Sequence, residues 1–148
     1  MQNATGTARK LATSDPGETE PGVLVMGFQA PLSFLNAKDF GRELLEAIAR
    51  RDSTVRLLVL EASSIVEIDF TASEVLNDVV AKAHDARMDF AVARLESVRA
   101  QAAFDRFGVI ERLGPNRVFQ SVEAAIRTLA GEQPGKRSPT APDGSANP

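Results

Sequence analysis

The sequence predicts an α/β sandwich: a mixed sheet of four to five strands packed with four to five helices. Three observations carry this. Apolar runs rich in Val, Leu and Phe recur at Val23–Phe28, Val55–Ala62, Asp89–Arg94 and Arg117–Gln120. Between them lie segments whose apolar residues repeat with the period of a helix that buries one face. The resulting order, ββαβαβαβα, is that of strands linked by crossover helices around a shared sheet.

Val23–Phe28 (VLVMGF) is the first clear strand, and Pro31–Phe34 follows closely enough to predict a hairpin partner. Asn36 is placed as the N-cap of a helix with Asp39 in its first turn and a stripe at Phe40, Leu44, Ala47 and Ile48. Val55–Ala62 (VRLLVLEA) is nearly continuous in apolar residues, as a strand covered on both faces would be. The strongest helical pattern runs from Thr71 to about Arg87, with Ala72, Val75, Leu76, Val79, Val80 and Ala83 on one face. Asp89–Arg94 is a short strand. Ser97 then caps a helix with Ala100, Ala103, Phe104 and Phe107 inward, and Gly108 ends it. Arg117–Gln120 is a last strand, and Ser121 caps a final helix through Val122, Ala125, Ile126 and Leu129.

Composition sets the domain boundaries. Residues 22–130 hold all eight phenylalanines and only two of the eight prolines, Pro31 and Pro115. They form the predicted domain of 109 residues. Residues 1–21 are polar and turn-prone and are expected to be a disordered leader or linker. Residues 131–148 contain four prolines and three glycines and are expected to be a disordered tail.

The totals also narrow the chemistry. The 148 residues include no cysteine and one histidine, which removes thiolate nucleophiles, disulfides and Cys-based metal sites. With 17 basic against 20 acidic side chains the chain lacks the footprint of a nucleic-acid binder. The apolar run Leu57–Leu60 is far short of the ~20 residues of a membrane span, and the first 20 residues contain no signal-peptide core. A soluble, intracellular, non-catalytic module without direct membrane insertion is expected.

Most candidate motifs have structural explanations. Gly131–Ser138 resembles a phosphate-binding loop, but it has three residues between its glycines where four are needed, and Arg137 stands where Ser or Thr must hold magnesium. His84 is expected to be a half-exposed helix-surface residue with no metal partners. Arg50 and Arg51 fit a helix end, where cations are favoured.

The informative stretch is Val66 to Glu74. Thr71 and Glu74 are spaced as a capping box, in which the Thr oxygen accepts the Glu74 N–H and the Glu74 carboxylate returns to the Thr71 N–H. The same hydroxyl, at the positive end of a helix, is placed to carry a phosphate. Asp69 beside it would repel that phosphate and make the helix head a switch between two charge states.

Several of these segments resemble a known family. Pro21-Gly22-Val23-Leu24-Val25 and Pro31-Leu32-Ser33-Phe34-Leu35-Asn36-Ala37 look like the opening of the STAS domain of SulP-type anion transporters. Ile68-Asp69-Phe70-Thr71-Ala72 resembles the signature at the head of that domain's second helix. Phe107-Gly108-Val109 and Val118–Ala125 resemble its closing segment more weakly. The resemblance covers the whole 109-residue core and makes the expected fold STAS-like.

The resemblance implies a regulatory domain on the cytoplasmic face of the cell membrane, attached to the transmembrane portion of a sulfate-type transporter. It implies a kinase or regulatory protein, or a guanine nucleotide (GTP or GDP), as further partners. It places Thr71 at the phosphoacceptor position of the related anti-sigma-factor antagonists, supported by Asp69, Phe70, Ser73 and Glu74. Two residues depart from the pattern. Phe70 stands where a small hydroxyl residue is usual, and Ala72 where free-standing antagonists often have glycine. A bulky Phe70 either obstructs a kinase or packs inward and leaves Thr71 exposed.

Two functions of different class follow. The first is a transporter regulatory domain, in which the leader is the linker from a last transmembrane helix. The alternative is a free-standing anti-sigma-factor antagonist phosphorylated by a partner Ser/Thr kinase.

Overall fold

Val23–Phe28 (β2), Leu57–Glu61 (β3), Asp89–Ala93 (β4) and Val118–Phe119 (β5) lie side by side, each parallel to the next, in a computed structural model of the chain. The structure describes residues 8–10, 22–28, 32–51 and 54–130. A short strand, Ala8–Lys10 (β1), pairs antiparallel with β2, with Arg9 opposite Gly27, so the five-stranded sheet is mixed, in the order β1-β2-β3-β4-β5. The helices are Ala37–Arg50 (α1), Phe70–Asp85 (α2), Val98–Arg106 (α3), Val109–Leu113 (α4) and Val122–Leu129 (α5).

Side-chain alternation along the strands divides the core in two. Leu24, Met26, Phe28, Leu58, Leu60, Phe90 and Val92 face the layer of α1 to α4 in the larger cluster. Val25, Leu57, Val59, Ala91 and Ala93 face the other side, where Ala125 and Leu129 of α5 cover them. Strand β3 is therefore buried on both faces, as its continuous apolar run requires. The stripes of α1 and α2 turn inward as their periodicity predicts, with Phe40, Leu44, Leu76, Val79 and Val80 all buried. Phe40 meets Phe28 edge-on, with ring centroids 4.7 Å apart.

Helix ends are tied off locally and across elements. Ser97 Oγ accepts the Ala100 N–H and Ser121 Oγ the Ala124 N–H, the two serine caps expected from the sequence. Arg51 donates to the carbonyls of Ile48 and Ala86, at 2.6 and 3.3 Å, and so fastens the C-terminal ends of α1 and α2 together. His84 is exposed on α2.

Four local expectations are corrected. Pro31–Phe34 is not a hairpin partner of β2: Leu32 makes a parallel bridge to Ile68, and the antiparallel neighbour of β2 is β1. That strand lies inside the segment read as a featureless leader; the remainder of residues 1–21, and the whole tail 131–148 with its loop lookalike, lie outside the described residues. Asn36 occupies the N-cap position of α1, but its Oδ1 accepts the Ser33 N–H and caps the preceding turn instead of the helix. Gly108 ends α3 as expected, yet its positive φ of 79° also turns the chain straight into α4, so one predicted helix is two.

Candidate functional site

The loops that leave the carboxyl ends of β2, β3 and β4 are knitted into one surface. Leu32 bridges Ile68, Ser97 Oγ donates to the Val66 carbonyl at 2.6 Å, and the Phe34 N–H donates to Asp69 Oδ2 at 2.8 Å. Each link joins residues more than 30 positions apart, so the surface exists only once the sheet has formed.

Asp69 is at its centre. Its backbone is extended (φ −90°, ψ 173°), and its Oδ1 accepts the Ala72 N–H at 2.8 Å, which makes it the N-cap of α2. The other oxygen takes Phe34, so both carboxylate oxygens are engaged by backbone donors. Asp69 forms no ion pair among the described residues.

The capping box predicted for Thr71 and Glu74 is not formed. Helix α2 begins at Phe70, which makes Thr71 its second helical residue, and both Thr71 and Glu74 are exposed. A cap must stand outside the helix with extended backbone; Asp69 meets that condition and Thr71 does not. Ser73 is 1% exposed, and its Oγ donates to the Phe70 carbonyl at 2.7 Å, so this hydroxyl is spent inside the fold.

Phe70 does not pack inward. It remains 58% exposed and leans sideways, meeting the Phe107 ring edge-on with centroids 5.7 Å apart. The Arg106 guanidinium lies 4.9 Å from the centre of that Phe107 ring. Thr71 is left open beside it.

Sequence reasoning missed two participants. Phe34 and Leu35 form the tip of the loop after β2, exposed by 64% and 75%. Two large apolar residues inside a polar turn, Ser33 to Asn36, were the available signal. Val66 and Phe70, in the loop before α2 and at its head, are likewise exposed, by 50% and 58%.

The arrangement presents the exposed hydroxyl of Thr71 in the first turn of a 16-residue helix, two residues from a carboxylate already holding two N–H groups. A separate open cleft of about 740 Å³ lies beside β5, between Arg94, Leu95, Glu96, Gln101, Val118 and Gln120. Its one lining cation, Arg94, faces Glu61 at 3.6 Å and Glu96 at 3.5 Å, an arrangement unfavourable to a phosphate. Among the described residues no group of three His, Cys, Asp or Glu side chains is placed to hold a metal ion, and no helix is long and apolar enough to cross a membrane.

The family model described as the STAS domain matches residues 17–125. The chain belongs to the STAS domain family. This STAS domain is 32% identical over 114 residues to a probable sulfate transporter found in two strains of Mycobacterium tuberculosis. That match covers 74% of the chain but only 19% of the relative's length, so the chain spans about a fifth of the protein it resembles. It is homologous to the STAS domains of SulP sulfate transporters.

Solved structures share its fold. A sulfate transporter family protein from Wolinella succinogenes superposes with a TM-score of 0.64 at 24% identity, covering 78% of this chain and 94% of that one. A murine Solute Carrier 26 family anion transporter gives 0.68 at 18% identity, over 86% of this chain and 22% of that one. An anti-sigma-factor antagonist from Mycobacterium paratuberculosis gives 0.65 at 13% identity, over 85% and 95%.

Proposed function

We propose that this STAS domain is a non-catalytic regulatory module of a SulP-type anion transporter, working at the cytoplasmic face of the cell membrane. The observation that carries this is the 32% identity over 114 residues to a probable sulfate transporter. Its partner in this reading is the transmembrane portion of the same transporter, and transport is modulated through the surface around the head of α2.

Thr71 is the phosphoacceptor in this proposal. Its exposure and its place in the first turn of α2 support that role. In the transfer, Thr71 Oγ1 bonds to the γ-phosphorus of a nucleoside triphosphate held by a partner kinase. The bond to the leaving nucleoside diphosphate breaks, and the hydroxyl proton passes to a base of the kinase.

The test is transport by the whole encoded protein carrying Thr71→Ala or Thr71→Glu. Sulfate uptake is expected to differ between the two variants. Equal uptake in both would sink the switch.

The likeness to the Mycobacterium paratuberculosis antagonist over 95% of that chain supports a second reading, a free-standing partner-switching protein phosphorylated on Thr71. Whether the encoding gene continues upstream into about a dozen apolar segments separates the two. Guanine nucleotide binding is a further proposal carried by resemblance alone, and a titration with labelled GTP that fails to saturate would remove it.

A further inference from the structure

We infer that Asp69 is a latch that fastens the Phe34–Leu35 tip to the head of α2, and that a phosphate on Thr71 releases it. This deepens the regulatory reading above and rests on it for the arrival of the phosphate.

The latch is one carboxylate with two duties. Its Oδ1 holds the Ala72 N–H and its Oδ2 the Phe34 N–H, each at 2.8 Å. Both bonds are assisted by the carboxylate charge, which makes them stronger than neutral ones. The turn carrying the tip is braced within itself by Ser33 N–H to Asn36 Oδ1 and Leu35 N–H to Ser33 Oγ. Its base is joined to the next loop by the Leu32–Ile68 bridge. At the apex, Phe34 to Asp69 is the bond that joins the tip to α2. The latch therefore ties a tip with two exposed apolar side chains, Phe34 and Leu35, to the residue that precedes the exposed Phe70.

A phosphate on Thr71 acts on that carboxylate in two ways. It adds about 1.5 to 2 negative charges two residues away, in the same exposed first turn. It is also a strong acceptor for the first-turn N–H groups of α2, so it competes with Asp69 for Ala72. The helix keeps an anion at its N-terminus and does not melt. The Phe34 N–H gains nothing from the phosphate and loses Asp69.

Neutral removal of the same bond provides the comparison. Asp69→Ser keeps a capping hydroxyl for α2 but has no second oxygen for Phe34. Asp69→Asn likewise leaves only one acceptor oxygen.

The experiment is amide NMR with hydrogen exchange on the 148-residue chain, unmodified and phosphorylated at Thr71, alongside Asp69→Ser and Asp69→Asn. Phosphorylation is expected to move the Phe34 amide resonance in the direction seen in Asp69→Ser and to speed its exchange about tenfold. The amides of Leu76 and Val79, inside α2, should stay within twofold. Unchanged Phe34 exchange on phosphorylation, with faster exchange in Asp69→Ser, breaks the coupling. Unchanged exchange in both Asp69 variants removes the latch itself. Mass spectrometry of Thr71 from cells addresses the other reading: no phosphate there removes the phosphoacceptor role, whatever the coupling measured in the tube.

Discussion

Gly41 of α1 faces Val75 of α2 so closely that a β-carbon built on the glycine would stand 2.4 Å from Val75 Cγ1. A β-branched side chain in a helix has one dominant rotamer and cannot swing aside. Gly41→Ala would gain roughly 1 kcal/mol of helix propensity, against about 1–3 kcal/mol of overpacking. The expected outcome in urea unfolding is a net loss of about 1 kcal/mol, recovered when Val75→Ala is added. A more stable Gly41→Ala single variant would contradict the contact.

Asp69 and Thr71 should part company in the same assay. Asp69→Ala loses a helix cap and a charged hydrogen bond to Phe34, together about 2 kcal/mol. Thr71→Ala removes an exposed side chain that caps nothing and should stay within about 0.5 kcal/mol. The reverse pattern would return the cap to Thr71.

The rivalry between these two residues shows what local pattern can and cannot carry. Both obey the rule for a helix start, and Glu74 three residues after Thr71 tips a purely local choice toward Thr71. The deciding partner, Phe34, is 35 residues away, and nothing near position 70 announces it. The elements that were legible are those with a strong internal period: β2, β3 and β4, the buried faces of α1 and α2, and α5 behind Ser121. Strand β1 has no alternation to detect in Ala8-Arg9-Lys10 and exists through pairing with β2. Helix α4 was hidden because Gly108 satisfied the signal for a stop while also serving as the turn into a new helix.

Phe70 and Phe104 should separate by burial. Phe104 is fully buried, and Phe104→Ala should cost about 3–5 kcal/mol. Phe70 is 58% exposed, and its edge-on contact with Phe107 should be worth only about 0.5–1.5 kcal/mol. Thermal unfolding of the two alanine variants measures the gap. Similar losses would mean that Phe70 belongs to the core.

Arg117 anchors the outer edge of the sheet. Its Nε donates to Asp89 Oδ1 at 2.8 Å, with the side chains 26% and 33% exposed, and its Nη1 donates to the Pro115 and Asn116 carbonyls. A double-mutant cycle with Arg117→Gln and Asp89→Asn should give a coupling of about 1 kcal/mol at low salt. In 1 M salt it should shrink without vanishing, because the pair is partly sheltered. No coupling at either salt concentration would leave the Arg117–Asp89 pair with no part in holding β5.

The strand order, finally, never reverses: β2, β3, β4 and β5 follow one another across the sheet, with α1 to α4 all on one side. In open α/β folds, small molecules are usually held in the crevice that opens where successive crossovers diverge to opposite faces. Along β2 to β5 the crossovers stay together, so the described parts of the loops ahead of α1, α2 and α3 meet at one end of the sheet. Loops fastened to one another in this way let a charge change on one be felt by its neighbour.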